Sequence, residues 1–264
     1  MAVPWLGVVR PFTLNSASQF LPEPPPRLNS ARYARAYREV LDLGRADSSV
    51  RTPEQTELAN FFNDNFVVFW NRALRAIAEA YVGDIADSAR LFALANLASA
   101  DALITAWNTK NHYVFWRPLT AIQEGDHDGN RRTAGDPDWT PFLNTPNYPD
   151  YSSGANNITG AMTRTLALFF GTDEVAFSLT SANTQAVQPT RAYTRFSVAA
   201  QDVVDVRVYQ GIHFRFADQV ARRQGRLVAR WAFKHFLRPV GRHETDDSND
   251  DAENEDGDED RGER

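Results

Sequence analysis

The sequence predicts an all-α fold, a helical bundle, and three observations carry the prediction. Apolar residues recur at three- and four-residue spacing through most of residues 30–237, helix starts and stops are marked by caps and glycines, and strand-like alternation is scarce. Residues 1–29 hold Pro4, Pro11, Pro22, Pro24, Pro25 and Pro26 and are expected to lie extended across a surface. Ser30 can cap a first helix that stops at Gly44. Thr52-Pro53-Glu54-Gln55 combines an N-cap, proline at the first helical position and a capping-box glutamine. From there Leu58, Phe61, Phe62, Phe66, Phe69, Leu74, Ile77 and Tyr81 read as one helix ending at Gly83. Asp84 opens an alanine-rich helix to about Asn108, and Pro118 begins a short one through Gln123. Residues 124–151, rich in glycine and proline, read as a long loop, and loops of that length in compact domains are usually functional or disordered. Three more helices are expected, from Ser153 to Phe170, from about Phe196 to Tyr209, and from about Asp218 to Leu237.

Composition narrows the function. With 264 residues, 42% apolar and 12% aromatic, the chain can bury a substantial core. Cysteine is absent, which excludes disulfides, thiolate catalysis and cysteine-ligated metals and leaves the compartment undecided. No unbroken run approaches the roughly 20 apolar residues that span a bilayer. The start, MAVPWLGVVRPF, lacks the cationic and apolar regions of a signal peptide, so a soluble chain is expected. The net charge is −6, but the 12 acidic and three basic residues of 242–264 give that stretch −9, leaving +3 for 1–241. The expected organisation is therefore a proline-rich segment (1–29), a helical domain (30–241) and a disordered acidic tail (242–264). Arginines are scattered among aromatic and acidic residues rather than clustered, so no nucleic-acid partner is expected.

The chemistry lies in three short stretches. Six residues separate Lys110 from Arg117, five separate Arg207 from His213, and Ser152-Ser153-Gly154 falls between the two blocks. Three cations, a serine–glycine turn and one imidazole are what a tetrahedral oxyanion requires. Arginine offers a planar fork of donors and lysine a mobile point charge. Ser153 and the amides near Gly154 can open a helix whose N-terminus favours an anion. His213 then serves as nucleophile or ligand to the central atom. The turn Asp126–Asp128–Asn130 has alternating oxygens but not the EF-hand spacing, and reads as a plain turn.

These residues carry a resemblance. The chain resembles the vanadium-dependent haloperoxidases and type 2 phosphatidic acid phosphatases, whose pattern is Lys, six residues, Arg-Pro; then Pro-Ser-Gly-His; then Ser-Arg, five residues, His, three residues, Asp. Lys110, Arg117 and Pro118 match the first part, Ser153 and Gly154 part of the second, and Arg207 and His213 the third. The surrounding wording is similar to the bacterial haloperoxidase-like branch, over roughly residues 55–240. The resemblance implies a bundle with a cationic oxyanion pocket between helices. Lys110, Arg117, Ser153, Gly154 and Arg207 would bind the oxygens of vanadate, or of phosphate as a competing anion. His213 would bond vanadium axially, or become phosphorylated in a phosphatase. It also implies more helices ahead of Lys110 than the three present, which leaves open a shortened relative with part of the bundle missing, or a homo-oligomer whose second copy supplies it.

Three departures bear on turnover. The motif histidine is Ala155, which removes the expected proton-handling group, and general acid–base help is typically worth about 10²–10⁴ in rate. His112, two residues beyond Lys110, is the candidate substitute. Val206 stands where the family has serine, and the aspartate arrives one position late as Asp218, which either orients His213 or caps the last helix. Tyr113, Phe115 and Trp116 read as core or pocket wall. Three functions stay open: a vanadate haloperoxidase oxidising halide with hydrogen peroxide, a phosphomonoesterase cleaving a small phosphate ester through a phosphohistidine, and a degenerate oxyanion-binding protein with little turnover.

Overall fold

The computed structural model describes residues 2–238, so the acidic segment 242–264 and residues 239–241 of the expected helical domain lie outside the described residues. Eight α-helices make up most of it. Ser30 caps α1 (Ala31–Leu43) by accepting the Tyr33 amide. Thr52 and Gln55 form the full capping box of α2 (Pro53–Phe61). The single helix expected over 53–81 is in fact two, because Asn65 accepts the Val67 and Val68 amides and starts α3 (Phe66–Tyr81) afresh. The aromatic run continues across this break on one side, and Phe61, Phe62, Phe66, Phe69 and Trp70 form a chain of ring contacts.

Asp84 caps α4 (Ile85–Tyr113), which runs five residues beyond the expected end and so carries Lys110 within its last turn. The stretch Ile85–Gln123 is long and apolar enough to cross a membrane by length and composition alone, but half of its most apolar part is buried in the protein. α4 packs against both α6 (Gly154–Phe170) and α8 (Arg215–His235). α5 (Pro118–Gln123) follows Arg117, its N-cap residue. α6 and α8 make the most intimate pair: a methyl on Gly225 would overlap the Asn157 carbonyl, and one on Gly160 the Arg222 carbonyl. Alanines 98, 102, 161, 229 and 232 fill the seam where α4, α6 and α8 meet. α7 (Phe196–Tyr209) leads to the turn carrying His213. A two-stranded antiparallel hairpin, β1 (Phe177–Thr180) with β2 (Thr190–Tyr193), buries Phe177, Leu179 and Tyr193 in the same core as the Phe61–Trp70 aromatic run. It is the one strand pairing in a ladder among the described residues.

Residues 2–29 hold one 3-10 turn, Pro4–Val8, and otherwise cross α4 and α8 without regular structure. Side chains of the bundle tie them down: Asn108 and Asn111 donate to Gly7 and Pro4 carbonyls, Trp231 to that of Thr13 and Gln224 to that of Phe20. The long loop 124–151 is similarly fastened. Trp139 is fully buried and donates to the Leu41 carbonyl, and Tyr37 Oη donates to that of Ala134. Within it, Asp126, Asp128 and Asn130 accept the amides of Gly135, Asn130 and Arg132, so their oxygens hold the turn together.

Candidate functional site

The ends of α4 and α7, the N-termini of α5, α6 and α8, and the close of the long loop converge on one buried cluster. Lys110 projects from α4 without solvent exposure, its Nζ donating to the Pro149 (2.6 Å) and Asp150 (2.9 Å) carbonyls. Val114, left-handed at φ 47°, ends α4 and turns the chain into Arg117. Arg117 Nε donates to Tyr148 O and Nη1 to Ile212 O, while Nη2 is buried with no partner. Arg207 donates Nη1 to Gln210 Oε1, and its Nε is likewise buried without a partner. Tyr148 lies over the cations, its ring 4.8 Å from Arg117 Cζ and 5.2 Å from Lys110 Nζ, and contacts Trp107 at 5.0 Å. Burial, together with mutual repulsion, holds Lys110 well below its ordinary pKa, and burial lowers Arg117 and Arg207 too.

Ser153 is the N-cap residue of α6 yet does not cap it with its side chain. The first amides of a helix have no intrahelical acceptor, so this terminus keeps its donors for another group. Gly154 must be small here, since a Cβ would sit 2.9 Å from Trp107 Cζ3. The turn is held from behind by a buried relay: Asn157 Nδ2 donates to Ser152 Oγ, Ser152 Oγ to Gln224 Oε1, and Gln224 Nε2 to Thr109 Oγ1.

His213 is 1% exposed and faces two groups. Its Nε2 lies 3.1 Å from Arg117 Nη1 and its Nδ1 2.7 Å from Asp150 Oδ1, the latter contact close but not aligned as a hydrogen bond. A guanidinium can only donate, so Nε2 accepts and the proton belongs on Nδ1. Burial and then Arg117, Arg207 and Lys110 hold the imidazole well below its ordinary pKa, so it is neutral with its lone pair on the cation side. Burial pushes Asp150 up to about 7, against the pull of Arg117 and Lys110, and Asp218 up to about 8, against the pull of Arg207.

Two sequence expectations are corrected. Asp218 neither caps α8, whose N-cap is Phe214, nor is it the carboxylate beside His213; Asp150 takes that place, and Asp218 instead accepts from Asn156 Nδ2 at 2.9 Å. His112 is exposed on α4 with its ring on Tyr113, outside the cluster. Lys110, Arg117, Ser153, Gly154, Arg207, His213 and Asp218 all border the cluster. Asp150, Tyr148 and Trp107 were missed from sequence, although Asp150 is an acid two residues before the serine–glycine turn.

The family model of the VCPO second helical-bundle domain matches residues 90–242, more than half of the chain and every residue of this cluster. The chain belongs to that family. Vanadium chloroperoxidase of Curvularia inaequalis is 32% identical over 192 residues, 60% of this chain and 31% of that one. The crystal structure of the first bacterial vanadium-dependent iodoperoxidase aligns with TM-score 0.75 at 30% identity, over 88% of this chain and 57% of its own. The apo and holo bacterial vanadium-dependent chloroperoxidase structures, at 19% and 20% identity, share the fold with TM-scores of 0.71 and 0.72. The chain thus spans about a third of the curated relative and a little over half of each solved one. The matched residues 90–242 include Lys110, Arg117, Arg207 and His213, with Ala155 in the first turn of α6.

Proposed function

We propose that the chain binds vanadate between Lys110, Arg117, Arg207 and the α6 N-terminus and uses it, as a haloperoxidase, to oxidise halide with hydrogen peroxide. One observation carries this reading: three buried donors without partners, Arg117 Nη2, Arg207 Nε and Ser153 Oγ, border one cluster with a neutral imidazole. Unpaired buried donors are costly, and a tetrahedral oxyanion is the group whose acceptors fit them. Phosphate has the same shape and would compete.

Each residue has a definable task. Arg117 and Arg207 would fix oxygens through their free guanidinium hydrogens, and Lys110, pinned by two carbonyls, would add charge. Asp150 lies against His213 Nδ1, where the proton belongs, and Nε2 would exchange its contact with Arg117 Nη1 for the anion. Vanadate, when bound, supplies a Lewis-acidic centre that activates peroxide. The reaction converts peroxide, halide and one proton into hypohalous acid and water, so a proton must be delivered in each cycle. Neither position 155 nor His112 delivers it: the first is a methyl and the second faces solvent. Those two facts favour slow turnover over a site of full family competence. Titrating the purified chain with orthovanadate tests the binding, with peroxide-dependent bromination and p-nitrophenyl phosphate hydrolysis assayed side by side. Stoichiometric binding with weak bromination is expected; absence of binding would remove the reading, and phosphatase activity alone would replace it with phosphoryl transfer to His213.

A further inference from the structure

We infer that Asp218 is the proton-loading group of this site: it takes up a proton as the oxyanion enters and holds it beside Ser153. The inference rests on the oxyanion reading above and assigns a role to a carboxyl which that reading leaves unused. Asp218 lies in the first turn of α8, fully buried, with Oδ1 accepting from Asn156 Nδ2 and Oδ2 without a partner. Ser153 Oγ approaches the carboxyl but makes no hydrogen bond of normal geometry. Around it stand Arg207 from α7, Asn156 from α6, Asp150 from the loop, and the charges of Lys110 and Arg117.

The protonation state decides what Ser153 can do. An ionised Asp218 only accepts, so it draws the Ser153 hydroxyl hydrogen toward itself and away from an anion. A protonated Asp218 donates to Ser153 Oγ, which frees the serine hydrogen for an anion oxygen. An incoming anion also shares Arg207 with Asp218, and a like charge disfavours the ionised carboxyl. Burial has already raised this group to about 8 in the free protein. It is therefore mostly loaded at neutral pH and has to be loaded during binding at alkaline pH. The proton needed in each cycle is then stored one hydroxyl from the anion, in a chain whose residue 155 cannot carry it.

The test uses molybdate, a tetrahedral anion whose own charge does not change between neutral and mildly alkaline pH. Calorimetry of the full chain in buffers of different ionisation enthalpy reads proton uptake per anion bound. From a group titrating near 8, Asp218 should contribute at most about 0.1 proton at pH about 7 and about 0.9 at pH about 9. Asp218→Asn should remove about 0.9 proton at the higher pH and make affinity about tenfold less dependent on pH across the interval. If that variant does not fold, carbon-13 NMR of the aspartate carboxyls in the wild-type chain answers the same question: the Asp218 signal should be ionised at pH about 9 when free and protonated with molybdate. Uptake unchanged in the variant, or an ionised Asp218 in the complex, overturns the inference while leaving the anion site standing. Failure of both molybdate and vanadate to bind overturns the anion site and this inference with it.

Discussion

Asp101, on the face of α4 that meets the N-terminal segment, and Asp218, at the cation cluster, are both wholly buried, but their surroundings differ in kind. Asp101 accepts the amides of Phe12, Thr13 and Leu14 and the Thr13 hydroxyl, so both oxygens have partners. Asp218 accepts one hydrogen bond and leaves Oδ2 bare, and Asp150 has no hydrogen bond of normal geometry on either oxygen. Burial alone thus says little about a carboxylate's task. A saturated one fastens a chain segment, whereas an unsaturated one amid cations is held ready for a change of charge or ligand.

The largest expected effect breaks the saturated member. Asp101→Ala would leave three amides and a hydroxyl unpaired, which should cost about 3–5 kcal/mol. For a domain of this size that lowers the melting temperature by roughly 6–20 °C. A change of about 2 °C or less would show that the N-terminal segment is not fastened there.

Next in size is the absent imidazole. Ala155→His should raise peroxide-dependent bromination about 10²-fold while anion affinity stays nearly constant, because the cations that bind are already present. Steady-state rates set beside a vanadate titration check this. Vigorous turnover in the wild-type chain, unchanged in the variant, would mean that another group already delivers the proton.

The unsaturated pair also sets the sign of the pH dependence. Asp150 and Asp218 have pKa values raised to about 7 and about 8, so the folded chain binds more protons than the unfolded one from the ordinary carboxylate range upward. Their contribution to stability is present on the acid side, and is lost as pH rises through about 7 and about 8. Melting temperature should fall by several degrees between pH about 5 and about 9, and Asp218→Asn should flatten the slope. A rising profile over that range would contradict the assignment. The smallest effect concerns Val114, a β-branched residue in a left-handed conformation at the end of α4. Val114→Gly should relieve about 1 kcal/mol, read as a gain of roughly 2–4 °C.

Most helices were legible in the sequence because caps and periodicity are local. Ser30, the Thr52–Gln55 box and Asp84 all act within four residues of themselves. The misreadings share one cause, a helix end set in the wrong place. With α4 stopped at Asn108, His112 looked free to join Lys110. On a helix that continues to Tyr113, the two side chains point about 200° apart, so a buried Lys110 sends His112 to solvent. With α8 begun at Asp218 that residue reads as a cap, but α8 starts three residues earlier and aims it at Asn156. Asp150 and Tyr148 come from an irregular loop, where no periodicity announces which side chain turns inward. The spacing of Lys110, Arg117, Arg207 and His213 was legible because sequence distance along helix ends and tight turns translates directly into position.

If three donors without partners hold one oxyanion, a crystal structure of the chain soaked with orthovanadate will show the anion among them. One anion per chain is expected, with Arg117 Nη2, Arg207 Nε and Ser153 Oγ each about 2.7–3.0 Å from its oxygens and His213 Nε2 turned to vanadium. An anion bound elsewhere, with those three atoms still unpaired, would contradict the account.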